Sequence, residues 1–118
     1  MKLVMNSWIA SLTAAIAQSV TTARGLGLDP ALFLDVITGS ATDNPYAHVK
    51  GQAMIDRDFT TSFSVSGAAK DCRLIAAAVE QAGVNATLAN AVSALFDQAE
   101  QQGLGADDMS AVAQVFGK

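Results

Sequence analysis

Residues 1–25 read MKLVMNSWIASLTAAIAQSVTTARG, and the fold turns on how that stretch is read. Met5, Trp8, Ile9, Leu12, Ile16 and Val20 follow three/four spacing, which brings side chains to one face of a helix. Asn6, Ser7, Ser11 and Thr13 interrupt any continuous apolar run, as expected of an amphipathic helix packed on a core. Gly25 and Gly27 are predicted to stop this helix just after Arg24. A secretory leader is imitated by Lys2, the apolar residues and Ala15-Ile16-Ala17 before Gln18. That reading puts a mature N-terminus at Gln18, but a leader has no need of the helical period. No stretch reads as long and apolar enough to span a membrane.

Outward from this helix, the punctuation repeats. Asp29-Pro30 offers an N-cap and a first-turn proline for a second helix carrying Leu32, Phe33, Val36 and Ile37 inward, closed by Gly39-Ser40. Asn44-Pro45 starts a third in the same way, through about Ile55, followed by an irregular connection from Asp56 to Ser62. A fourth helix is predicted from about Ser64 to Ala82, packing Leu74, Ile75, Ala78 and Val79, with Gly83 closing it. Asn85 or Thr87 opens a fifth, Leu88 to Gln102, stopped by Gly103 and Gly105. Asp107 caps a short last helix with Met109, Val112, Val115 and Phe116 as its stripe. No segment alternates as a strand does, so the expectation is one all-α, six-helix domain over residues 1–118.

A chain of 118 residues buries a real core without disulfides or metals, and Cys72 is its only cysteine. Cys72 is expected to be a small buried hydrophobe, since a nucleophilic role needs a base and the only histidine, His48, is on another helix. No metal site is expected. The net charge is −4 and the basic residues form no run, which argues against nucleic acid and anionic membrane as partners. Hydrophobic residues are 51% and charged ones 15%, an apolar balance that suggests a partner chain or domain covers part of the surface.

Two polar stations stand out. Lys2 and Asn6 are one turn apart on the first helix. A lysine beside an apolar face can serve as acid or base once desolvation lowers its pKa, and Asn6 can hold a substrate oxygen against it. The second station is Phe63 with Lys70-Asp71, seven residues on, with Gly67 leaving room for a ligand. Asp71 can pair with Lys70 or Arg73, or orient another basic residue. The plainer alternative makes Lys2 and Asn6 solvated polar groups, Phe63 a core anchor, and Lys70-Asp71 a solvated helix edge.

Lys2-Leu3-Val4-Met5-Asn6 resembles the K-L-x-x-N motif that opens the C-terminal domain of the β-hydroxyacid dehydrogenases. The family includes 3-hydroxyisobutyrate, tartronate semialdehyde and glyoxylate/succinic semialdehyde reductases, and its helical domain is 6-phosphogluconate dehydrogenase-like. Phe63 with Lys70-Asp71 matches a second motif of the family. Gly25-Leu26-Gly27-Leu28-Asp29, Gly39-Ser40, Arg57-Asp58-Phe59 and residues 103–111 resemble further segments, in order along the chain. Departures are Ala41-Thr42-Asp43, where the family often has Gly-x-Ser, and Ala86, where proline is common.

The resemblance implies an oxidoreductase that transfers hydride between NAD or NADP and a small hydroxy acid. Lys2 is then the catalytic acid/base, Asn6, Phe63 and Asp71 face the substrate, and Lys70 approaches the cofactor. It further implies an upstream N-terminal Rossmann domain, because no Gly-x-Gly-x-x-Gly unit occurs here, and an isolated chain without activity. A homodimer and a cytoplasmic location complete the expectation. The competing expectation is a stand-alone helical binding or dimerisation domain without catalysis.

Overall fold

The computed structural model describes residues 1–117. Five α-helices form close to where the periodicity places them: α1 (Lys2–Gly25), α2 (Ala31–Ile37), α3 (Pro45–Asp56), α4 (Val65–Gln81) and α5 (Thr87–Ala99). Pro30, not Asp29, holds the N-cap position of α2, with Asp29 Oδ1 accepting from the Ala31 amide at 2.9 Å, and α5 starts without a side-chain cap and ends three residues before Gln102. A π-helical turn, Glu100–Leu104, extends α5, and a 3₁₀ helix, Met109–Val115, is the sixth. Among the described residues the only extended pairing is an isolated bridge between Ser64 and Asp108. The domain is all-α, with six helices, as the sequence predicts.

α1 is the central element and packs against all four other α-helices and the 3₁₀ helix. Its Ala10, Ala14, Ile16, Ala17 and Val20 are buried in one core with Met54, Ala69, Phe96 and Val112. Thr13 is fully buried too, and its hydroxyl donates to the Ile9 carbonyl at 2.8 Å. The inward stripe begins later than the spacing suggests: Met5 and Trp8 are 48% and 59% exposed, because the other helices cover α1 only from about residue 9 onward. By length and hydropathy α1 does meet the requirement for crossing a bilayer, contrary to expectation, with 24 residues and a mean hydropathy of 1.3 in its best window. Here it is the helix around which the core is built.

Termination of α1 follows from Gly27. Its φ of +76° lets the Gly27 and Leu28 amides bond back to Arg24 and Ala23 at 2.9 and 2.8 Å, closing the last turn as a Schellman motif. Arg24, in that last turn, donates to the Ile55 carbonyl at 2.9 Å and so ties α1 to the C-terminal end of α3. A Cβ on Gly27 meets no neighbour but is forced into the left-handed region. Gly27→Ala is therefore expected to cost about 1 kcal/mol in urea denaturation, with the unfolding m value unchanged.

Asn44 caps α3 through the Ala47 amide at 2.8 Å, and Ser64 caps α4 through the Gly67 amide at 3.0 Å. Other expectations are corrected. On α2 the buried residue is Leu34, which lies over Gly51 of α3, while Leu32 and Val36 are exposed; a seven-residue helix touches the bundle along one narrow edge. Leu74 of α4 also faces outward, with Cys72, Ile75 and Ala76 taking the inner positions. The cap of the last helix is Asp108 rather than Asp107. α4 begins at Val65 behind its Ser64 cap, as predicted, so Phe63 lies in the irregular segment before it.

Candidate functional site

A cleft of about 790 Å³ opens between the first turns of α1, the middle of α3, the segment before α4, and the first half of α4. Lys2, Asn6, Phe63, Lys70 and Asp71, which the sequence offers in two separate stations, all line it. Lys2 and Asn6 reach it because the first two turns of α1 project beyond the core, leaving Lys2 exposed and Asn6 half-buried. Phe63 contributes a ring that is 46% exposed and lies against Gly67, where an added Cβ would approach the ring to 3.0 Å. Gly67 thus lets Phe63 fold back over the helix start. Lys70, one turn after Gly67, is exposed at the cleft and Asp71 is half-buried there.

Among the described residues, none of Lys2, Lys70 and Asp71 belongs to an ion pair. Of the options for Asp71, pairing with Lys70 or Arg73 does not form; Arg73 turns to Asp97 of α5 at 2.6 Å, with Glu100 at 3.8 Å. The chain has four lysines, Lys2, Lys50, Lys70 and Lys118, and the first three line this one cleft. Lys50 is neutralised there by Asp108, so Lys2 and Lys70, beside Asp71, are the charges left for an anionic ligand in a chain of net charge −4.

Sequence reasoning missed Lys50, Tyr46, Ser62 and the role of Asp108. Lys50 Nζ lies 2.8 Å from Asp108 Oδ2, and the two side chains are only 11% and 3% exposed. Asp108 Oδ1 accepts from the Ser62 amide (3.1 Å), the Ser62 hydroxyl (3.1 Å) and the Phe63 amide (3.2 Å). Its Oδ2 also accepts from the Ser110 amide at 3.0 Å and the Ser110 hydroxyl at 2.7 Å. Burial opposes the charge on Asp108, but the bonds from Lys50, Ser110 and Ser62 outweigh it and hold the carboxyl well below the usual carboxylate range. Tyr46, just after the Asn44-Pro45 helix start, lines the cleft and anchors its hydroxyl on Thr13 at 2.8 Å. The only hint of Lys50 was its rarity as a lysine; its partner is 58 residues away.

Cys72 is buried, as expected, and burial pushes its thiol up to about 11. His48 gives it no base: its Nε2 sits 2.7 Å from Asp43 Oδ1. The Gly39 amide and then His48 hold Asp43 below the usual carboxylate range. No group of three or more His, Cys, Asp or Glu able to hold a metal occurs among the described residues.

Residues 1–116 match the family described as NAD-binding of NADP-dependent 3-hydroxyisobutyrate dehydrogenase. The chain is 32% identical to glyoxylate/succinic semialdehyde reductase 2, chloroplastic, of Arabidopsis thaliana, covering 98% of this chain and 32% of the relative. Reductase 1 of the same plant is 31% identical, over 97% of this chain and 39% of its own length. Among solved structures, 3-hydroxyisobutyrate dehydrogenase from Salmonella typhimurium superimposes with a TM-score of 0.89 at 26% identity, over 98% of this chain and 40% of that one. The Mycobacterium tuberculosis 3-hydroxyisobutyrate dehydrogenase with L-serine gives 0.84 at 26% identity, over 99% and 42%. The chain therefore spans roughly a third to two fifths of the length of these proteins.

Proposed function

Because this chain belongs to the family of NADP-dependent 3-hydroxyisobutyrate dehydrogenases, we propose that it is the C-terminal helical domain of an NAD(P)-dependent dehydrogenase acting on a small hydroxy acid. The observation that carries the reading is the convergence of Lys2 and Lys70, neither in an ion pair among the described residues, with Asn6 on one cleft of an otherwise acidic chain. The relatives supply the substrate class: glyoxylate and succinic semialdehyde on one side, 3-hydroxyisobutyrate and L-serine on the other, all small molecules with a carboxylate.

The donor set fits one end of a nicotinamide cofactor. Lys70 provides a cation without an acidic partner among the described residues, and Phe63 a flat apolar face, its ring occupying the space over Gly67 that the sequence offered to a ligand. The chain has no Gly-x-Gly-x-x-Gly unit, so in this proposal the pyrophosphate is held by an upstream Rossmann domain. When bound, the nicotinamide accepts or returns the hydride. Lys2 takes the hydroxyl proton during oxidation and gives it back during reduction, and the Asn6 amide donates to the same oxygen and holds it toward Lys2. Asp71 accepts from another substrate polar group. Phe63 keeps water from the reacting carbon, and the lysine charge draws in the carboxylate.

The test is a kinetic one on the full-length protein with NADPH or NADH and glyoxylate or succinic semialdehyde. Turnover is expected, and Lys70→Met raises the KM for the dinucleotide about tenfold with a smaller change in kcat. Absence of dinucleotide-dependent turnover across small semialdehydes and hydroxy acids rejects the proposal. The 118-residue chain alone is expected to be inactive. The apolar residues exposed on the first turns of α1, Val4, Met5 and Trp8, favour a dimer, with sedimentation of the full-length protein as its check.

A further inference from the structure

We propose that Lys50 and Asp108 are a positioning pair: together they fix the Ser62-Phe63 segment that forms one wall of the cleft. The kinetic part of this inference rests on the dehydrogenase reading; the structural part does not. Ser62 and Phe63 lie in irregular backbone between α3 and α4, so no helical ladder holds their amides. Both amides instead donate to one atom, Asp108 Oδ1, at 3.1 and 3.2 Å. The Phe63 carbonyl is held from the same element, accepting from the Met109 amide at 2.8 Å. The wall thus takes its position from the start of the 3₁₀ helix.

Asp108 performs this only as a carboxylate in a nearly closed site, and Lys50 is the cation that makes this tolerable, 2.8 Å from Oδ2. A second contact joins the same parts, since Lys50 Nζ lies 3.4 Å from the Ser62 hydroxyl, which itself donates to Asp108 at 3.1 Å. The ammonium also stands 5.8 Å from the centre of the Tyr46 ring, a cation–π distance that fixes it from the α3 side. Lys50 is committed to these contacts, unlike Lys2 and Lys70, which have no ion-pair partner among the described residues. That separates one lysine that shapes the cleft from two that are available to a ligand. Since Phe63 depends on Asp108 and Asp108 on Lys50, a change at Lys50 should reach a ligand through Phe63.

The experiment combines amide hydrogen exchange with a double-mutant cycle in the full-length protein. In Lys50→Met, the Ser62 and Phe63 amides are expected to exchange about tenfold faster, while amides in the middle of α1 are unchanged. Lys50→Arg, which keeps the charge, restores protection in part. In turnover, Lys50→Met and Phe63→Ala each raise the KM for the hydroxy acid, and the double variant is no worse than Phe63→Ala alone. Ser62→Ala, at an exposed serine, gives a smaller shift in the same direction and decides the matter if Lys50→Met does not fold. Unchanged exchange at Ser62 and Phe63, or multiplicative effects of Lys50→Met and Phe63→Ala on KM, overturns the inference. Exchange needs no turnover, so absence of dinucleotide-dependent turnover together with faster exchange in Lys50→Met would reject the dehydrogenase reading and leave the positioning pair standing.

Discussion

Lys2→Ala in the full-length protein lowers kcat by about 10²- to 10⁴-fold, the range a positioned general acid/base contributes. The unfolding temperature is expected to stay put, because Lys2 is exposed on the first turn of α1 and has no ion-pair partner among the described residues. Lys2→Arg separates proton transfer from charge: arginine still attracts a carboxylate but does not give up its proton, so kcat falls with Lys2→Ala while KM for the acid is largely kept. Asn6→Ala loses less, since it removes one hydrogen bond to the reacting oxygen and leaves the proton carrier in place. A Lys2→Ala variant that retains most of its turnover would assign the chemistry elsewhere. Lys50 is a poor substitute in the same cleft, as its ammonium is held by Asp108 at 2.8 Å.

Removing Asp108 should be the most damaging single change to stability at the site. Asp108→Ala strips Lys50 of its counter-ion in a setting where its side chain is 11% exposed, leaves the Ser62 and Phe63 amides without their acceptor, and deletes the cap of the 3₁₀ helix. Breaking a buried pair from one side costs about 3–5 kcal/mol, far above the effect of an exposed ion pair. The double variant Asp108→Ala/Lys50→Met recovers part of the loss, because no unpaired charge is left behind. The dependence on pH has a definite sign. The folded-state pKa of Asp108 lies below its unfolded value of about 3.9, so its contribution is fully present above that pH and is lost as the pH falls below it. Denaturation of wild type and variant at pH 7 and near pH 3 should show the gap between them narrowing on acidification. A gap of the same size at both values would mean that Asp108 acts through packing rather than charge.

Helix positions were legible locally because their causes are local. Asn44-Pro45 and Ser64 cap through amides three residues on, and Gly27 ends α1 through its own backbone conformation, so residue order is enough. Faces were harder. The spacing puts Met5 and Trp8 on the apolar side of α1, but which part of that side is covered depends on where the other helices end. Leu32, Val36 and Leu74 are exposed for the same reason: a periodic stripe says which residues share a face, not how wide the contact will be.

The candidate site divides along the same line. Lys2 with Asn6, and Lys70 with Asp71, are neighbours in the sequence, and the resemblance of their motifs to the dehydrogenase family made them visible. Their meeting in one cleft belongs to the packing of α1 against α3 and α4. Lys50 and Asp108 escaped notice because the bond that defines them spans 58 residues and no spacing rule reaches that far. The sequence by itself determined the helices, the caps of α3 and α4, and the family, since each depends on interactions within a few residues or on motif order. Only the tertiary structure decided which lysine is tied to a buried carboxylate and which two stand available at the cleft, because burial and pairing are properties of the packed chain.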